Sequence, residues 1–279
     1  MITIRRTYMP LSTYPQAVPD EAIRSAAGFA AALGGTVDVT TFSVDIPRVQ
    51  SPLASLVIDI PALVQAAEDK SKAECVRLET LVRGVAAAAA MNCASRKVLL
   101  SGVFEAAAAE ARYYDLAVLP WSKEEATARD VIEAVVFGSG RPTILVPQSG
   151  HTTSKLEHIA VAWDASRVAA RALGDALPLL VPGGRVTVLT VRDEKPLAGA
   201  SIASLLASSL GKRGITAHPI EIDLRDRTIA QALQETTLAE GAQLLAMGGF
   251  GHSRIRDFVL GGATTGVFDD LRLPVLLSH

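Results

Sequence analysis

The stretch with the most chemistry in it is Met247 to Thr264, MGGFGHSRIRDFVLGGAT. Gly248-x2-Gly251 is followed there, after nine residues, by Gly261-Gly262-Ala263-Thr264. Glycine has no Cβ, so its backbone takes conformations closed to other residues and lets a ligand come close to its N–H groups. N–H groups at a helix N-terminus carry partial positive charge and suit a phosphate. The stretch therefore reads as a cradle for nucleotide phosphates; the alternative is a set of turn glycines with no ligand. His252, Arg254 and Arg256 lie inside the span. They either neutralise phosphate charge or form a solvated face, and Arg256 has Asp257 beside it as a partner. A second candidate is Ala162-Trp163-Asp164, where an apolar run ends in a carboxylate. Trp163 also reads as a core residue, and Asp164 also reads as a cap on a helix starting at Arg167.

The spacing excludes two common phosphate motifs. No Gly-Lys-Ser/Thr follows, so this is not a P-loop. Gly249-x-Gly251 has Arg254 where the third glycine of a dinucleotide fingerprint would stand, and it lies late in its domain. No histidine has a serine or cysteine partner in a strained turn, and no metal spacing such as H-E-x-x-H occurs. No catalytic residue is assigned; at most, slow hydrolysis of a bound nucleotide is expected.

The elements that must position these residues alternate strand and helix. Met247 closes the apolar run Gln243–Met247, a helix follows Gly261, and Pro274-Val275-Leu276-Leu277 reads as a last strand. Upstream, Ile2–Ile4, Val37–Val44, Ser95–Leu100, Asp115–Leu119 (bounded by Pro120) and Thr143–Val146 read as strands. Asp20–Leu33, Phe104–Tyr113, Glu124–Phe137 and a long stretch from Pro52 to about Ala90, interrupted by Pro61, read as helices. The polar run Gln148–Lys155 reads as a linker. The pattern then restarts with strands Ile159–Trp163, Val186–Val191 and Thr216–Ile222, in which Pro219 implies a sheet edge. Helices are expected over Arg167–Leu177, around Ile202–Leu210, and from an Asp226 cap through Leu233 to Gly241.

The halves repeat each other. Gly34-Gly35-Thr36-Val37 matches Gly183-Gly184-Arg185-Val186, Asp115–Leu119 matches Gln243–Met247, and Arg141–Val146 matches Leu273–Ser278, in the same order. The repeat predicts residues 1-147 as one α/β domain, 148-155 as a linker and 156-279 as a second domain. The first half has Leu119-Pro120-Trp121 in place of the glycines and no counterpart to Trp163-Asp164-Ala165-Ser166. It reads as a degenerate copy, leaving one site.

The spacing G-x2-G-x9-G, together with IAVAWDAS, resembles the universal stress protein family closely over residues 156 to 279. Over residues 1 to 150 the resemblance is weaker, carried by topology and the GRPTILVP ending. It implies a tandem α/β protein of two Rossmann-like (adenine nucleotide alpha hydrolase-like) domains. Each would be a five-stranded parallel sheet of order 3-2-1-4-5 with helices on both faces. Strands 1 and 4 of such a sheet flank a crevice at their carboxyl ends.

The resemblance also implies ATP or another adenine nucleotide as ligand, with Mg as its counter-ion. Ala162, Trp163, Asp164 and Val191 would lie by the nucleoside. Met247, Gly248, Gly249, Gly251, His252, Arg254, Gly261, Gly262, Ala263 and Thr264 would lie by the phosphates. The family's Ser/Thr after the third glycine is Gly262 here, so a hydroxyl is missing that Thr264 would have to replace. Last strands would meet edge to edge, making the halves an internal pseudo-dimer, with a homodimer as a further option.

Composition sets the remaining bounds. The 279 residues suit two domains of about 140, and 49% hydrophobic with 20% charged describes a globular chain. A net charge of -2 argues against nucleic acid as a partner. No run of 18 apolar residues is present to span a membrane. MITIRRTYMPL lacks the apolar core of a signal peptide, so a cytoplasmic address is expected. Cys75 and Cys93 have no metal spacing; idle thiols and a disulfide both remain open. Two further functions stay in view: an interaction scaffold with a vestigial cleft, and a binder of another small ligand in the first half, suggested by the Pro52–Ala90 segment.

Overall fold

The computed structural model describes residues 4–47, 59–85, 90–123, 125–148, 155–192, 202–249 and 262–279. The first half contains β1 Arg6–Ser12, α1 Asp20–Ala32, β2 Thr36–Asp45, α2 Ile60–Val85, β3 Ala90–Leu99, α3 Val103–Ala111, β4 Leu116–Trp121, α4 Ala126–Gly138 and β5 Thr143–Pro147. The second contains β6 Leu156–Ala162, α5 Arg167–Ala176, β7 Leu180–Val191, α6 Ile202–Lys212, β8 Thr216–Ile222, α7 Ile229–Ala239, β9 Leu244–Gly248, α8 Gly262–Asp269 and β10 Val275–Ser278.

All ten strands form one sheet of order β3-β2-β1-β4-β5-β10-β9-β6-β7-β8. Each half therefore has the order 3-2-1-4-5, and β8, with its Pro219, is an edge as expected. Pairing is parallel within each half. It is antiparallel where β5 meets β10, with Leu276 opposite Ile144. This edge-to-edge join buries both residues completely.

Strand side chains alternate between two cores, as the period of a pleated strand requires. Met9, Val37, Val118, Ile144, Ile159, Val188, Ala246 and Leu276 face α1, α2, α5 and α6. Tyr8, Val44, Leu119, Leu145, Ala160, Leu189, Met247 and Leu277 face α3, α4, α7 and α8. Both cores run through both halves, and the sheet is buried on its two faces, as a parallel sheet must be.

The register reproduces the repeat seen in the sequence. Thr7 stands opposite Val37 and Leu116, just as Ile159 stands opposite Val186 and Leu244.

Several local expectations need correction. Ile2 and Thr3 of the expected strand Ile2–Ile4 lie outside the described residues; the first described strand is Arg6–Ser12, and it includes Pro10. Its ladder with β4 ends at Tyr8–Ala117, so Pro10 lies where that side of β1 is already parting. β4 runs through Pro120 to Trp121 instead of stopping before the proline.

Pro61 does not break a helix. It sits in the first turn of α2, where a missing N–H costs no helical bond; residues 52–58 of that expected helix lie outside the described residues. α7 is capped by Thr228, not Asp226: Thr228 Oγ1 accepts from Gln231 N and Gln231 Oε1 accepts from Thr228 N, a reciprocal capping box. Cys75 and Cys93 are both free thiols. None of the described helices is long and apolar enough to cross a membrane.

Candidate functional site

The β6–β9 ladder ends at Val161–Ala246. Beyond that pair, Ala162-Trp163-Asp164 and Met247-Gly248 separate, and the connections that follow go to opposite faces. α5 contributes Ala172, Leu173 and Ala176 to the first core, and α8 contributes Val267 and Phe268 to the second. This is the switch point at which open α/β sheets form a ligand crevice. Asp164 and Gly248, 84 positions apart in the chain (248 − 164), thus follow the carboxyl ends of neighbouring strands.

The β6 side is fixed by backbone hydrogen bonds. Trp163 N donates to Leu189 O at 2.7 Å, and Thr190 Oγ1 donates to Trp163 O at 2.8 Å. The Trp163 ring is half-buried against the first core, so its side chain has the packing role. Asp164 Oδ1 accepts from Ser166 N at 2.9 Å, an Asx turn that carries the chain through Ala165 at φ 61°. Ser166, not Asp164, caps α5: its Oγ accepts from Ala169 N at 3.2 Å. Asp164 therefore shapes the turn with one oxygen and remains half-buried at the rim. The side chains of Val191 and Met247 are buried in the second core and Ala162 packs against it, leaving mainly their backbone to the crevice.

The β9 side shows why glycines stand there, and the reasons differ. A Cβ on Gly248 would lie 2.6 Å from Val168 Cγ2 and 2.8 Å from the Val168 backbone carbon. Gly248 is needed so that the first turn of α5 can rest on the end of β9, which forms one wall of the crevice. Gly249 has no such crowding. Its N–H donates to Ser278 O at 2.8 Å, and its carbonyl meets His279 Nδ1 at 3.1 Å. The Gly249 amide thus extends the carboxyl end of the β9–β10 ladder and is engaged before any phosphate arrives.

Gly251, His252, Arg254 and Gly261 lie outside the described residues. Gly262 opens α8 and is exposed, Ala263 is half-buried, and Thr264 is buried. The hydroxyl expected to replace the family's Ser/Thr therefore sits inside the protein, while the first-turn amides of α8 face the carboxyl side of the sheet.

The first half places Leu11 and Ser12 at the register positions of Trp163 and Asp164, and Pro120 and Trp121 at those of Gly248 and Gly249. Its equivalent opening, lined by Pro10, Leu11, Ser12, Gln16, Val18, Leu119, Pro120 and Val131, holds about 20 Å³. Among the described residues, that is room for a water.

A larger open groove of about 610 Å³ lies two strands from Asp164, lined by Ile220, Glu221, Ile222, Asp223, Arg225, Asp226, Arg227 and Thr236. Three of its lining charges have ion-pair partners outside it: Glu221 and Asp223 with Arg192, at 3.1 and 3.9 Å, and Arg227 with Glu235 at 3.2 Å. It is a charged margin at the edge strand β8. Among the described residues, no three His, Cys, Asp or Glu side chains gather to hold a metal.

Sequence reasoning missed Ser166 and Val168, although a serine directly before a helical run is a capping signal. It also missed the first-half residues that touch Gly249, for which no local signal exists.

Comparison with known proteins agrees with this architecture. The profile of the Universal stress protein family matches residues 155–279. Those residues are similar to the universal stress protein family. The whole chain is similar in structure to a universal stress protein from Archaeoglobus fulgidus, at 17% identity over 97% of this chain and 95% of that one, with a TM-score of 0.65. It is also similar to a candidate universal stress protein from Pseudomonas aeruginosa, at 14% identity over 99% and 93%, with a TM-score of 0.53. At these identities the likeness establishes a shared fold. Comparison with curated proteins found no match. The shared fold therefore extends over both halves, although the family profile matches only the second.

Proposed function

We propose that the second half binds an adenine nucleotide, ATP or a close relative, between the carboxyl ends of β6 and β9, and that the protein senses or buffers it in a stress response. One observation carries this reading: Asp164 and Gly248 meet at a switch point whose connections leave on opposite faces. Asp164 would face the nucleoside with the carboxylate oxygen not used in the Asx turn. The amides of Gly262 and Ala263, with Gly251 and Gly261, would receive the phosphates. The residues fit a nucleotide better than a resident metal, so magnesium would enter as the phosphates' counter-ion.

Isothermal titration with ATP and AMP tests the reading. Binding should appear, and at a hundred times the dissociation constant the fold should gain about 2.7 kcal/mol. No heat and no thermal shift at millimolar nucleotide would sink it.

A second reading, an interaction scaffold with a vestigial cleft, draws support from the engaged Gly249 amide and the buried Thr264. It predicts that Gly251→Val, in protein that remains folded, leaves cellular function intact. Loss of function in that variant would reject it.

A further inference from the structure

The β5 and β10 edges are spent on each other, so the ten-stranded sheet ends in β3 and β8. The two ends are built differently. β8 carries Pro219 at its middle residue, which removes a donor and blunts the edge. β3 has no proline and no bulge: Ala90 through Leu99 pair one-to-one with Thr36 through Asp45. Among the described strands β3 pairs only with β2, so every second residue turns its N–H and C=O away from the sheet.

The side chains of β3 fit a second copy of the same strand. Met91 and Cys93 pack on the first core, the α2 side of the sheet. By alternation Ser95, Lys97 and Leu99 face that side too, and Leu99 is 55% exposed there. Met91 and Leu99 are equally far from Ser95. An antiparallel pair of β3 strands with a two-fold axis at Ser95 therefore sets each Leu99 opposite Met91 of the second copy. Arg96 and Lys97 then stand opposite Ala94 and Cys93, so no like charges meet directly. Both already have partners in their own copy, Arg96 with Glu110 at 3.6 Å and Lys97 with Asp45 at 2.8 Å.

α2 brings a charge match to the same level. Thr41, which pairs with Ser95, donates to Glu79 Oε1 at 3.4 Å, so Glu79 lies level with that axis. Arg83 follows one turn later, and both charges lie beside Cys93. Among the described residues Arg83 has no ion-pair partner.

We propose that β3 pairs antiparallel with β3 of a second copy of this chain about Ser95, joining two ten-stranded sheets into one. The contact is isologous: Leu99 covers Met91, and Arg83 approaches Glu79, twice each. The pairing needs no nucleotide and is independent of the reading above.

Sedimentation velocity on the full chain over a range of concentrations tests the pairing, and the wild type should pass from monomer to dimer. Leu99→Lys should weaken the dimer by about 10-fold or more, because the contact occurs twice. Leu205→Lys, at a 69% exposed leucine on α6, should leave it unchanged. Arg83→Glu should weaken it as well, and Arg83→Glu combined with Glu79→Arg should restore it. Residues directly opposite stand about 4.5–5.5 Å apart, a span that a disulfide bridges. Ser95→Cys in a Cys93→Ser background should therefore cross-link two copies under oxidised glutathione, and Lys97→Cys in the same background should not. A chain that stays monomeric up to about 100 μM overturns the proposal. So does a dimer that Leu99→Lys leaves intact, or one that Ser95→Cys fails to cross-link.

Discussion

Two adjacent glycines, Gly248 and Gly249, should respond oppositely to the same added methyl group. In Gly248→Ala the new Cβ meets Val168 Cγ2 at 2.6 Å, a contact that a rotamer change relieves, and the Val168 backbone carbon at 2.8 Å, which it does not. The first turn of α5 must move. Overpacking of this kind costs about 1–3 kcal/mol, and the stiffer unfolded chain returns about 0.4–1 kcal/mol. The net loss is about 1.5 kcal/mol, or a fall in melting temperature of roughly 3–6 °C for a chain of this size.

In Gly249→Ala the Cβ finds Ser278 O at 3.6 Å and α4 carbons at 3.7 Å, ordinary contacts. That variant should match or slightly exceed the wild type. Urea denaturation of both variants, with unchanged slopes, gives the comparison. Gly248→Ala combined with Val168→Ala should recover only part of the loss, because the backbone contact persists. If Gly248→Ala alone lies within 0.5 kcal/mol of the wild type, the argument that Gly248 exists to admit α5 is wrong.

Three other outcomes follow. His158 is buried, with Nε2 2.7 Å from Thr187 Oγ1, and burial followed by the nearby Arg185 pushes its pKa below 6.5. The unfolded state then takes up the proton first, so stability is full above about pH 6.5, falls as the pH drops towards the lower folded value and levels off below it; His158→Gln should flatten that slope in denaturation curves across pH. Thr228→Ala should cost about 1 kcal/mol by removing the α7 cap, while Asp226→Ala should change stability by less than about 0.5 kcal/mol in the same assay. Leu276→Ala at the β5–β10 join should cost about 2–5 kcal/mol, read as a fall in the urea midpoint, since Leu276 is fully buried opposite Ile144.

Strands were legible because buried parallel strands leave apolar runs, and the three repeated segments fixed which runs correspond; the order 3-2-1-4-5 came from the family resemblance. Proline was the main source of error. Pro120 reads as a strand boundary, yet it lies within β4 near the first half's opening, as Pro10 lies within β1. The capping box at Thr228 was present in the sequence as Thr-x-x-Gln, but the carboxylate of Asp226 drew attention away from it. For the site, spacing selected Gly248, and the resemblance of IAVAWDAS to the family selected Asp164. Neither gave a hint that Gly248 is occupied by Val168, that the Gly249 amide serves β10, or that Thr264 is buried. Those facts depend on elements distant in the chain, and periodicity carries no information about which of them come together.

The two halves differ at their strand ends and agree at their join, and packing accounts for the division. The β5 and β10 edges would be unpaired and sticky in a lone half; their pairing buries Ile144, Leu145, Leu276 and Leu277 completely. Changes there would cost the fold. At the carboxyl ends of β1 and β4, by contrast, Leu11, Pro120 and Trp121 close the opening with apolar groups that add to packing. The second half keeps glycine and aspartate at the same register positions, which gives up that apolar contact.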